Sequence, residues 1–141
     1  MNELQRRVAA TQATQARFEG KAFDWSKAAT CIHLVRFHAA QMGHQVPIVP
    51  RFRSALGAKK ALKAEGCETL TEYMDKHFPR IPAGQMLTGD VAAFPGDGGF
   101  DSLMIYGQLR AFIGWHEDEA PCQIVRVTDE GYRLCSGAWR V

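Results

Sequence analysis

Residues 30–43, TCIHLVRFHAAQMG, decide the fold of the first half of this chain. Thr30 is a favourable N-cap, apolar residues recur behind it at steps of three and four, and Gly43 is a typical helix stop. The pattern predicts a helix over residues 31–42. Cys31 lies in its first turn, where free amide N–H groups and the helix dipole can lower the pKa of a thiol. Cys31 is therefore a candidate nucleophile, or else a small side chain packed at a helix start.

Helical patterns surround this stretch on both sides. The spacing predicts helices over residues 3–18 and 54–65, and a capping box at 69–72 opens a short helix that ends at Lys76 or His77. Pro79 and Pro82 then close the helical half.

After Pro82 the apolar period changes from about 3.6 to about two residues, which is typical of strands. Turn-forming residues separate the apolar segments, and no separator is long enough for a crossover helix. The expected arrangement is an antiparallel meander behind a helical half, an α+β fold. The predicted strands are 91–94, 103–106, 109–115, 123–128 and 138–141.

The length of 141 residues suits a single domain spanning 1–141. It divides into an N-terminal helix (1–20), a helical half that carries Cys31 (21–82) and a sheet (83–141). Apolar residues make up 46% and charged residues 23% of the chain, so it has enough apolar surface for a core. We expect neither a transmembrane segment nor a secretory signal, because charges interrupt every apolar run.

The four cysteines form no CxxC pair and show no regular spacing. We therefore expect reduced thiols, three of them packed as small apolar side chains, and neither a metal site nor a cofactor.

The charge is divided unevenly along the chain. Residues 1–70 carry eleven Lys and Arg against five Asp and Glu, and residues 71–141 carry six against ten. No aromatic residues alternate with the basic ones, so specific nucleic-acid binding is not expected, and docking on a protein neighbour is the better explanation. The thin apolar stripe of the first helix suggests that residues 3–18 contact a partner. Trp115 and Trp139 are either partner anchors or core residues.

Several motifs resemble those of the NlpC-type papain-like cysteine peptidases. Residues 25–43, WSKAATCIHLVRFHAAQMG, are similar to the helix that carries the nucleophile in that family. Residues 87–94, LTGDVAAF, resemble the Gly-Asp strand before the histidine strand, and residues 102–107, SLMIYG, take the place of the histidine strand. The resemblance implies a papain-like, NlpC-related fold.

A closer resemblance is to small proteins encoded among the tail genes of phages and prophages. They share the Trp–Cys helix, an Arg-Ser-Ala-Leu-Gly-Ala helix (here 53–58), the Gly-Asp strand (here 89–90) and a terminal Ala-Trp-Arg (here 138–140). This resemblance implies a component of the virion tail, at its tip or hub, made in the cytoplasm of the host bacterium. Its partners would be other tail proteins, with peptidoglycan as a further candidate.

The catalytic pattern of the peptidases is incomplete here. Ser102 falls on the family's catalytic histidine, and a serine hydroxyl cannot accept a thiol proton as imidazole does. His116, on the next strand, is a possible base or third polar residue. His33 and His38 lie on the helix of Cys31 and are expected at the solvent or at the edge of the core.

Two hypotheses follow. In the favoured one the domain is a degenerate peptidase fold that serves as a structural or binding component of a phage tail, and Cys31 is a vestige. In the alternative it is a tail-associated cysteine peptidase or amidase that cleaves peptidoglycan peptides, with Cys31 as nucleophile and His116 as base.

Overall fold

The structure is a computed structural model that describes residues 1–46, 51–96, 99–116 and 120–141. Its helices lie mostly in the first half of the chain and its strands in the second. The helices are α1 (Glu3–Phe18), α2 (Cys31–Gln41), α3 (Ala55–Ala64), α4 (Leu70–His77) and α5 (Asp129–Arg133). The strands are β1 (Val91–Phe94), β2 (Ser102–Gln108), β3 (Ala111–Gly114), β4 (Gln123–Arg126) and β5 (Gly137–Trp139).

Each helix begins at a polar residue whose side chain accepts a backbone hydrogen bond. Thr30 caps α2, Ser54 caps α3 and Thr69 caps α4, each by accepting the N–H three residues further on. Asn2 and Gln5 form a capping box at the start of α1. These local bonds explain why the predicted helix boundaries agree with the structure to within about two residues.

The five strands form one antiparallel sheet in the order β4-β3-β2-β1-β5. A simple meander was expected, and that expectation is wrong for the last strand. β5 pairs with β1, with Trp139 opposite Val91, so the chain crosses from one edge of the sheet to the other after β4. The α+β fold itself is confirmed.

The sheet has two covered faces. On one face Val91, Leu103 and Ile113 pack against the helices of the first half. On the other face a smaller cluster around Phe94 and Phe112 is covered by the segment that returns from β4 to β5. That segment contains α5, where the sequence predicted only a turn, because its Thr128 cap accepts from the N–H of Gly131.

Residues 109 and 110 were predicted as the start of a strand, and this is wrong. Leu109 and Arg110 have φ values of 51° and 62° and form the tight turn between β2 and β3, so β3 begins at Ala111. The turn-forming residues between the predicted strands include 97–98 and 117–119, which lie outside the described residues. Among the described residues, no helix has both the length and the apolar character that crossing a membrane requires.

The N-terminal helix packs on its own domain by one face, and contact of residues 3–18 with a partner stays a prediction for its exposed face. Its buried face is largely polar, and Leu4 and Val8, the supposed contact stripe, point to solvent. Arg7 is buried and binds the carboxylate of Asp90 at 3.0 Å and the carbonyl of Val141 at 2.8 Å. A buried ion pair therefore joins the first helix to the sheet.

A second buried contact lies beside this ion pair. His38 of α2 lies between the hydroxyl of Thr14 (2.8 Å from Nδ1) and the carbonyl of Gly89 (2.7 Å from Nε2). Gly89 has a φ of 93°, and a β-carbon there would lie 3.3 Å from Thr11 Oγ1 and 3.4 Å from His38 Nε2. Only glycine gives both this backbone conformation and this close approach.

The two tryptophans that were considered as partner anchors belong to the core. Trp139 is fully buried and donates from its indole N–H to Asp75, and the indole of Trp115 donates to the carbonyl of Lys21. Their polar edges are therefore satisfied within the domain, as buried indoles usually are.

Candidate functional site

Cys31 occupies the first turn of α2, directly behind the Thr30 cap. Its side chain points into the core beneath the helices and is 7% exposed. The Sγ atom lies 3.8 Å from the carbonyl oxygen of Asp101, the residue before β2. The fold therefore brings the helix start to the beginning of β2, where sequence analysis had placed the family's histidine.

Burial dominates the electrostatics of the Cys31 thiol. Removal from water raises its pKa to about 11, although backbone N–H groups of Leu103, Cys31 and Ile32 act in the opposite direction. The helix start alone had favoured a lowered pKa. The structure reverses that expectation, because desolvation of a thiolate outweighs the stabilisation by the first helical turn.

Ser102 begins β2, and His116 lies two residues beyond the end of β3, near the same end of the sheet. The Ser102 hydroxyl donates to the carbonyl of Trp115 at 3.0 Å, and His116 is the next residue and is exposed. Ser102 stands opposite Phe94, whose side chain belongs to the cluster on the face away from the helices. Strand alternation therefore turns Ser102 away from the helix that carries Cys31.

No general base is in contact with the thiol in the part of the chain that the structure describes. No hydrogen bond there joins Cys31 Sγ to Ser102, to His116 or to any other imidazole. His33 is the nearest histidine in sequence, but its Nδ1 atom lies 2.8 Å from Thr30 Oγ1.

The prediction for the histidines of α2 is wrong for His38 and correct for His33. His38 is fully buried between α1 and the Gly89 turn, whereas His33 is half-buried at the edge of the core. The period of α2 did place residue 38 one turn after Val35, a buried position. A histidine at a position that the helical period places in the core indicates that its ring is hydrogen-bonded there.

Sequence reasoning did not anticipate the aromatic side chains that surround the start of α2. Trp25 packs against Phe23 (5.4 Å between ring centroids), Phe100 (5.2 Å) and Phe52 (6.0 Å), and Phe52 also packs against His33. These residues come from three separate segments, so no local motif could have joined them. Trp25 and Phe100 pack against the same core cluster that contains Cys31.

Residues 1–46, 51–96, 99–116 and 120–141 contain no candidate metal site. No three His, Cys, Asp or Glu side chains in those ranges lie close enough together to hold an ion. The cysteines are free thiols; three of them, Cys31, Cys67 and Cys122, are buried and Cys135 is half-buried. That distribution agrees with the sequence prediction.

Two solved structures share this architecture. The P60 domain of antigen MAP1272c from M. avium paratuberculosis matches with a TM-score of 0.59 at 17% identity, over 98% of this chain and 95% of that one. RipD from Mycobacterium tuberculosis, described as a non-catalytic NlpC/p60 domain protein adapted to a peptidoglycan-binding function, matches with a TM-score of 0.57 at 16% identity, over 96% of this chain and 97% of that one.

These similarities show that the fold is that of the NlpC/p60 domains. No curated protein matches the sequence. A family model, described as a domain of unknown function, DUF6950, matches residues 2–141. The chain therefore belongs to the DUF6950 family and has an NlpC/p60-like fold.

Proposed function

We propose that this chain is a non-catalytic NlpC/p60-like domain that binds its partner without cleaving it. The observation that carries the proposal is the state of Cys31. Its thiol is buried, its Sγ atom lies 3.8 Å from the carbonyl oxygen of Asp101, and burial raises its pKa to about 11.

The direction of this shift disfavours nucleophilic chemistry. A thiol with that pKa is ionised in only about one molecule in 10⁴ at pH 7, and the thiolate is the reactive form. Papain-like catalysis overcomes this by pairing the thiol with an imidazole. Here the hydroxyl of Ser102 takes the corresponding sequence position and is bonded to a backbone carbonyl instead.

The binding role has two sources of support. The description of RipD as non-catalytic and adapted to peptidoglycan binding shows that one domain of this fold has such a role. The four motifs shared with tail-cluster proteins, from the Trp–Cys helix to Ala138-Trp139-Arg140, favour a phage tail as the setting. We therefore propose a structural or binding component at the tail tip or hub, in contact with other tail proteins and with peptidoglycan.

The first experiment measures turnover and binding on the same substrate. Purified wild-type protein and Cys31→Ala are incubated with peptidoglycan sacculi, and released muropeptides and co-sedimented protein are quantified. We expect no release above background from either protein and equal co-sedimentation of both, because the buried thiol contributes packing and no chemistry.

Muropeptide release that disappears in Cys31→Ala would overturn the non-catalytic proposal. It would support the alternative of a tail-associated cysteine peptidase or amidase, and His116→Ala would then test whether His116 is the base. Release that persists in Cys31→Ala would indicate a contaminating hydrolase.

The tail assignment is tested in assembled particles. We expect mass spectrometry of gradient-purified virions to detect this chain in a fixed ratio to the major tail protein. The tail-less heads of the same lysate should lack it. Its presence only in the soluble fraction of the lysate would contradict a place in the virion.

A further inference from the structure

The side of α2 opposite its buried face lines an open groove of about 440 Å³. His33 and Arg36 line one part of it, and His44, just beyond the helix, lines another. Phe37 and Val46 supply an apolar floor, and both pack against the main core. The volume lies within the range of small-ligand sites. This groove is separate from Cys31, because His33 is about 200° around the helix from Cys31.

The two imidazoles are held in place by the fold. The ring of His33 is hydrogen-bonded to Thr30 Oγ1 and packs on Phe52 with 4.9 Å between centroids. His44 follows Gly43, whose φ is 89°, and its N–H donates to the carbonyl of Ala39 in a helix-ending turn. Its ring packs edge-on against Phe78 at 5.3 Å. The groove is therefore built before any ligand arrives.

The charge in the groove is that of Arg36. Two other arginines that are at least partly buried have a carboxylate partner: Arg7 and Arg140 both bind Asp90. Arg36 is half-buried and forms no ion pair within residues 1–46, 51–96, 99–116 and 120–141. Burial and the Arg36 charge both lower the pKa of His33, which is therefore neutral at pH 7. The groove presents one planar cation above an apolar floor.

We propose that this groove binds the terminal carboxylate of a short peptide with small side chains. The guanidinium of Arg36 matches a carboxylate with two parallel N–H bonds, and Phe37 and Val46 would contact methyl groups next to it. The single guanidinium in the groove carries one positive charge, which matches the one negative charge of a carboxylate. The inference rests on the proposed binding function, since peptidoglycan stem peptides end in carboxylates on small residues.

The test uses N-acetyl-D-alanyl-D-alanine, its C-terminal amide and inorganic phosphate as probes. Each is titrated into isotope-labelled full-length protein at pH 7 and followed by the amide signals of residues 33–46. We expect saturable shifts with the acid, binding at least about tenfold weaker with the amide, and no competition by phosphate. Equal shifts with acid and amide, or shifts elsewhere only, would overturn the proposal.

Three variants locate the site. Arg36→Gln is expected to weaken binding of the acid by about tenfold or more, and Arg36→Lys by less, since a lysine keeps the charge and loses the planar fork. Ala40→Leu, at an exposed position that lines the groove, should block binding by filling it. The matched control is Arg133→Gln, the same change on exposed α5, on the other side of the sheet.

Co-sedimentation with sacculi separates this inference from the proposed function. Binding of sacculi that Arg36→Gln and Ala40→Leu leave unchanged would overturn the groove and leave the binding function standing. Absence of sacculus binding by the wild type would overturn peptidoglycan binding itself. Loss of sacculus binding in both groove variants, with Arg133→Gln unaffected, would support both.

Discussion

Replacing Asp90 with alanine is expected to lower the free energy of unfolding by about 3–5 kcal/mol, which is a large fraction of the stability of an ordinary domain. The carboxylate is 0% exposed and accepts from four donors. These donors are the side chains of Arg7 and Arg140 and the backbone N–H groups of Leu87 and Val141. Its removal leaves the buried Arg7 guanidinium without its carboxylate in the core, and that uncompensated charge is the main cost. Urea unfolding followed by circular dichroism measures the change.

Glu3→Gln is the matched control, because Glu3 also pairs with Arg7 but has a side chain 58% exposed. Exposed pairs contribute little, so this variant should lose far less stability than Asp90→Ala. Adding Arg7→Met to Asp90→Ala should restore part of the loss, since it removes a charge that has lost its buried partner. Equal effects of Asp90→Ala and Glu3→Gln would contradict the assigned role of the buried pair.

Lowering the pH from 7.5 to 4.5 is expected to remove about 2–3 kcal/mol of stability through His38 alone. Burial lowers the pKa of His38 from its ordinary 6.5 to about 4 in the folded protein. The Gly89 carbonyl can only accept, so Nε2 carries the proton of the neutral ring, and Nδ1 lies 2.8 Å from the Thr14 hydroxyl oxygen. The nearby charge of Arg7 also opposes protonation.

The direction follows from proton binding. Between pH 6.5 and about 4 the unfolded chain binds a proton at residue 38 and the folded chain does not. Stability from this group is therefore complete above pH 6.5 and is lost as the pH falls toward 4. Urea unfolding at a series of pH values measures it.

The His38→Gln variant isolates this contribution, because all other titrating groups are common to both proteins. We expect the difference in unfolding free energy between wild type and variant to shrink by about 2–3 kcal/mol from pH 7.5 to 4.5. Should the variant fail to fold, an NMR titration of the His38 ring in the wild type replaces it. A ring that titrates near pH 6.5 would contradict the prediction.

The local elements of this fold were predictable because short-range rules produce them. A Thr or Ser cap, a 3.6-residue period and a glycine stop define α2 within fourteen residues, and the change to a period of two after Pro82 marks the start of the sheet half. The pairing of β5 with β1 was not predictable in this way. It depends on which edge of the sheet residues 137–139 pair with, and that is set by contacts between residues far apart in the chain.

The amino-acid sequence by itself determined the helix that begins at Cys31 and the change from helices to strands after Pro82. Tertiary structure alone decided what these residues can do. It buried the Cys31 thiol against Asp101. It also turned the polar face of α1 inward, so that Arg7 of α1 and His38 of α2 both contact the Gly89-Asp90 turn. The physical reason is that desolvation depends on everything packed around a group, and those neighbours come from segments far apart in the chain.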